Sequence, residues 1–237
     1  MELSAIDLKV GRKCQLVDSS GTFVDGNVTE TDVISFVNDR YRQLFLKLVD
    51  KYPYLGQYSE SVNLVEDQEF YSFEDLTLDY LVVNYVGIKY ASTDTDFTKV
   101  TRKEKNILFK ANTSKTNYDK THPYYNFSRD SDGDVGITIS PTPDAAVTDG
   151  LYIEYVYLPT NLETSGESPI IPELLQDVMI SYVVADVWEA KRDWANSNQA
   201  INRAMLLEKE FFENYNPKTS DTPARYGINK SFNPFDK

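Results

Sequence analysis

The chain reads as an α+β protein. A helical body, made of an N-terminal helix and a C-terminal antiparallel helix pair, carries an inserted antiparallel β-rich subdomain and extended arms at both termini. Two observations predict this. Apolar residues recur at three- and four-residue spacing towards both ends of the chain, whereas the middle holds short runs rich in Val, Ile and Tyr. A hydrophobic fraction of 41% with 13% aromatic residues gives the 237 residues enough material for a core.

Residues 1–28 show no sustained period and read as an N-terminal arm, with one weak hairpin in CQLVDSSGTFVDG. The main domain spans 29–216. It opens on a helix over about 31–51, whose stripe is Val33, Ile34, Val37, Tyr41, Leu44, Phe45 and Leu48. Thr29 or Thr31 suits its N-cap, Asp32 suits the positive end of its dipole, and Pro53 stops it. A β-rich insert follows over about 60–160. SVNLVEDQEFYSF can hold a strand, LDYLVVNYVGIKY reads as one, FTKVTRKEKNILF as a short helix or turn and then a strand, and residues 111–123 as a loop.

The insert closes on GDVGITISPTPDAAVTDGLYIEYVYLP, read as a β-hairpin. Val135, Ile137 and Ile139 share one face of its first strand, as a half-buried strand requires. In its second strand Leu151, Ile153, Tyr155 and Tyr157 share a face, and Val156 and Leu158 make the other partly apolar. Two helices then fill about 173–192 and 197–215. Leu175, Val178, Met179, Tyr182, Val183 and Val187 mark the first, and Ala200, Ala204, Leu207, Phe211 and Phe212 the second. KRDWANSNQ breaks the pattern, with Asn196 and Ser197 as caps, and a link this short places the two helices antiparallel. Residues 217–237 form a polar C-terminal tail with spaced aromatics.

Charge narrows the function. With 37 acidic and 24 basic residues the net charge is −13, which disfavours gripping nucleic-acid phosphates but suits an acidic wall along which DNA slides. The single Cys14 excludes an intrachain disulfide and a cysteine-based metal site, and fits assembly in a reducing cytoplasm. The first residues lack the pattern of a signal peptide, and no apolar run reaches the length of a membrane span.

No catalytic, cofactor-binding or metal site is expected. Asp130, Asp132 and Asp134 have the spacing of calcium ligands, but Val135 and Pro141 stand where the loop needs Gly and Glu, so the run reads as a turn. His122 is the sole histidine and lies in a polar loop without a nucleophile beside it. No nucleophile elbow, Walker loop or dinucleotide fingerprint appears. The partner-binding candidates are aromatic: Trp188 and Trp194 at the break between the last two helices, and Tyr226, Phe232 and Phe235 along the tail.

The order of these segments resembles the head-to-tail adaptor (connector, neck ring) proteins of tailed bacteriophages. The first helix, VISFVNDRYRQLFLKLV, carries Arg40, Tyr41 and Arg42; the insert closes with GITISPTPD and LYIEYVYLPTNL. The entry IIPELLQDVMISYVVADVWEAKRD, with Tyr182 and Ala185, and the helix QAINRAMLLEKEFFENY complete the pattern over about residues 30–216. The resemblance implies a virion structural protein without covalent chemistry. Such a protein forms a ring, usually of twelve copies, beneath the portal. There it joins head to tail and continues the DNA channel. Its implied partners are further copies of itself, the portal and tail or other neck proteins. DNA passes nearby without sequence-specific binding, and no membrane is involved. In that picture the helices build the ring and the tail reaches the portal or a neighbour. The competing class is a non-catalytic carbohydrate- or surface-binding module, which the 17 tyrosines and β-rich centre suit and the helical ends oppose.

Overall fold

The computed structural model describes residues 1–103 and 119–215. The fold is α+β. Helix α1 (Leu3–Lys13) and helix α2 (Glu30–Lys51) precede strands β1 (Gln57–Leu64), β2 (Phe70–Ser72), β3 (Tyr80–Ile88), β4 (Thr98–Lys99), β5 (Thr101–Arg102), β6 (Tyr124–Arg129), β7 (Val135–Ser140) and β8 (Val147–Tyr157). Helices α3 (Glu173–Ala190) and α4 (Trp194–Asn214) close it.

The N-terminal segment is not the extended arm expected over 1–28. It opens on α1, whose Leu3, Ile6 and Val10 lie on one face and are buried in the helical core. The Leu3 amide donates to the Glu167 carbonyl at 2.7 Å, and the N-terminal ammonium to Gln176 Oε1 at 2.9 Å. The helix is short and Glu2 makes no side-chain cap bond, so the usual start signal is missing. The weak hairpin is present as a bridge between Val17 and Phe23.

Helix α2 follows its stripe. Thr29 caps it: its hydroxyl accepts from the Asp32 amide, and Asp32 returns a bond to the Thr29 amide at 2.8 Å. Helix α3 is buried on nearly every side, from Leu175 and Gln176 through Ile180 to Val187, because α1, α2 and α4 surround it. Asp193, not Asn196 or Ser197, caps α4, accepting from the Asn196 amide at 3.1 Å. Only three residues, Lys191 to Asp193, therefore separate α3 from α4.

The insert contains two four-stranded sheets, ordered β1-β8-β3-β4 and β2-β7-β6-β5, antiparallel except for the β5–β6 pair. This corrects the expected hairpin: β7 and β8 do not pair. β7 lies between β2 and β6, and β8 between β1 and β3. The Pro-containing link 141–146 carries the chain from one sheet to the other, where a hairpin would need a tight turn. The true hairpin is β6–β7, in register from Tyr124↔Ser140 to Arg129↔Val135.

The two cores are distinct and meet at β8. Leu151, Ile153 and Tyr155 belong to the β core, and Val156 to the helical one. Tyr157 packs against both, with its ring 5.2 Å from that of Phe45. Gly56 allows the close approach here: a Cβ would stand 2.5 Å from Val49 Cγ1 and 3.2 Å from Val156 Cγ1. β1 and β8 pair from Gln57↔Val156 onwards, so the insert leaves the body and returns to it through adjacent strands.

Candidate interaction surface

The body is tied across three helices by side chains from α2. Arg40 grips Asp186 of α3 bidentately, Nε to Oδ2 at 2.7 Å and Nη2 to Oδ1 at 2.5 Å, and donates Nη1 to Gln43 Oε1 at 2.9 Å. The guanidinium lies 5.1 Å from the centre of the Tyr182 ring. The Tyr182 hydroxyl donates to Glu208 of α4 at 2.7 Å, and Lys47 reaches the other oxygen of Glu208 at 2.6 Å. The hydrogen bond to Asp186 holds the Arg40 pKa above its ordinary value; burial, then the bond to Glu208, pushes that of the Tyr182 phenol up. Both groups therefore keep their neutral-pH states.

Above the Arg40–Asp186 pair lies an open groove of about 530 Å³, lined by Phe36, Asp39, Gln43, Glu189, Arg192 and Trp194 among others. Trp194 opens α4 and is 59% exposed. Arg192 precedes it at φ 60°, in the left-handed region. Its amide donates to the Glu189 carbonyl and that of Asp193 to the Trp188 carbonyl, each at 2.8 Å, which closes the end of α3. The three-residue turn thus presents the indole beside a fixed ion pair, an arrangement of an aromatic anchor and Arg that recurs at protein interfaces.

The structure separates the two tryptophans. Trp188 is half-buried, packs against the helical core and carries Lys191 Nζ 5.3 Å from its ring. Lys191 also donates to the Cys14 carbonyl at 3.2 Å and to Asp25 at 2.8 Å, so this corner fastens the segment after α1 to α3. Trp194 is the exposed one of the two. Of the Arg40, Tyr41 and Arg42 triplet, Tyr41 is buried and accepts from the Ile170 amide at 3.0 Å. Arg42 keeps its Nε buried without a hydrogen-bond partner. Asp186 and Glu208 emerge only from the fold, since nothing local in the sequence marks which of 37 acids meets Arg40 or Tyr182. Tyr226, Phe232 and Phe235 lie outside the described residues.

The other candidates resolve locally. Asp130 Oδ1 accepts from the amides of Asp132, Gly133 and Asp134, each at 2.9 Å, so the carboxylate builds the β6–β7 turn. Gly133 sits there at φ 97°. Among the described residues no group of three His, Cys, Asp or Glu side chains is placed to hold a metal ion. His122 is exposed, with Nδ1 2.8 Å from the Thr121 hydroxyl and 3.2 Å from Asp119, all within one surface turn. Among the described residues, no helix is long and apolar enough to cross a membrane. No protein-family model matches the chain, and no curated protein matches it.

Proposed function

We propose that this chain is a bacteriophage head-to-tail adaptor: a virion structural protein that forms a ring beneath the portal, joins head to tail and continues the DNA channel. The observation that carries this reading is the element order. One helix leads into a β insert, the insert returns beside its own entry through β1 and β8, and a helix pair with a three-residue turn follows. The Trp194 groove supports it by offering the body an anchor for a neighbouring copy. The acidic balance of −13 supports a wall that DNA passes without adhering. Assembly takes place in the host cytoplasm, and the ring stands at the head–tail junction, usually with twelve copies.

The test is the mass and shape of the protein alone and mixed with portal. A symmetric ring docked on the portal, and labelling at the neck of the particle, are the expected results. Labelling on capsid facets or fibre tips, or a monomer that ignores portal and binds glycans, contradicts the proposal.

A further inference from the structure

A second groove lies on the other side of the α3–α4 turn and differs in charge from the rest of this acidic molecule. It has a volume of about 170 Å³ and is lined by Lys13 at the end of α1, Ser181, Val184 and Trp188 of α3, and Asn196, Gln199, Ala200 and Arg203 of α4. Among the described residues neither Lys13 nor Arg203 forms an ion pair, although acids outnumber bases by 37 to 24 in the chain. The carboxylates nearby are engaged elsewhere. Asp177 is held by Lys9 at 2.7 Å, Asp193 by the Asn196 side chain at 2.8 Å, and Asp25 by Lys191 at 2.8 Å.

Partial burial, then Arg203 and Lys9, lower the Lys13 pKa, and Asp177 offsets this only in part, so positive charge prevails here. An anion entering between the two cations relieves that repulsion and replaces water with charge-assisted hydrogen bonds. Charge sets the ligand class: two cationic side chains on an open groove of about 170 Å³ suit one carboxylate or phosphate group. The half-buried Trp188 lines one wall and supplies a flat apolar side.

We propose that this groove is a receptor for a single oxyanion, held between Lys13 and Arg203 against Trp188. The chain has two tryptophans, so Trp194→Phe leaves Trp188 as the only indole and as a reporter inside the site. The full chain carrying that change is titrated with inorganic phosphate in one arm and acetate in the other, at constant ionic strength. A saturable change in Trp188 fluorescence is expected. Response to phosphate assigns the natural group to a phosphate-bearing ligand, and response to acetate to a carboxylate-bearing one. Arg203→Gln and Lys13→Gln should each weaken the response about tenfold, from loss of one charged hydrogen bond. Both should melt no earlier than the parent, because they remove like charge. Lys13→Arg, which keeps the charge, should retain the response. No saturable change in either arm, a response in Arg203→Gln equal to the parent, or a lost response in Lys13→Arg overturns the proposal.

Discussion

The helical body and the β insert are held together by different means. The body is closed by contacts between distant parts of the chain: Arg40 with Asp186, Lys9 with Asp177, and the N-terminal ammonium with Gln176. The insert is closed by aromatic contacts on and between neighbouring strands. Examples are Tyr85 with Tyr152 at 6.0 Å and Tyr125 with Phe127 at 5.8 Å, while Phe73, just past β2, meets Tyr80 of the other sheet at 4.3 Å. The insert separates α2 from α3 in sequence, yet its stem β1–β8 brings their ends together. The pairing of β1 with β8 offsets the entropy of closing that long loop.

The largest expected effect comes from Phe45, which stands at the junction. Phe45→Ala removes a fully buried ring that contacts Tyr41 and Tyr157 and should cost about 3–5 kcal/mol. Because Tyr157 belongs to both cores, calorimetry should show one transition moved down as a whole. Ile137→Ala, deep in the β core, should cost about 2–5 kcal/mol and act first on the insert. Two separate transitions in the Phe45 variant would show that the cores are not coupled through β8.

The next effect depends on pH and belongs to the body alone. Asp7 of α1 is buried with Oδ1 lacking a hydrogen-bond partner, and burial, with a smaller contribution from Glu30, raises its pKa from 3.8 to about 7. The folded state keeps the proton that the unfolded state releases. Stability therefore falls as pH rises from about 4 to about 7, and the loss is complete above that range. Asp7→Asn should raise the melting temperature at pH 8 and leave it nearly unchanged at pH 4. An equal shift at both pH values would break this account of how α1 docks.

Arg40→Ala tests the polar tie. It leaves Asp186 partly buried without its partner and should cost about 2–3 kcal/mol in denaturant unfolding. A loss below about 0.5 kcal/mol would place this pair with ordinary surface ion pairs. Arg192→Gly is the smallest change. It relieves a left-handed residue at φ 60° and should stabilise by about 0.5–1 kcal/mol. The insert offers the counterpart: Asp149 sits at φ 53°, and its amide donates to Asn63 Oδ1 at 2.9 Å.

The two regions also differ in how far the sequence discloses them. The period of α2, with Val33, Val37, Tyr41 and Phe45, survives because one face meets the core and the other meets solvent. Helix α1 carries the same signal in Leu3, Ile6 and Val10, but too briefly and without a cap. In the insert, alternation marks β7 and β8 as strands without naming their partners, since a buried face looks the same in either sheet. The expected pairing joins β7 to β8, although the Asp132-Gly133 pair between Arg129 and Val135 is the turn signal of the β6–β7 hairpin. The candidate surface was half legible. Trp194 stands at the helix break where the sequence places it, whereas its setting depends on Arg40 meeting Asp186, 146 residues away.

The proposed ring places its contacts on the helical body and none on the core of the insert. Hydrogen exchange of the intact protein, free and then mixed with portal, checks this. Rings are expected in which protection rises along the Trp194 groove, at α2 near Phe36 to Gln43 and at the start of α4, while the core strands β6 and β7 stay as they were. Absence of rings, or rings whose new protection falls on β6 and β7 and spares the groove, would contradict it.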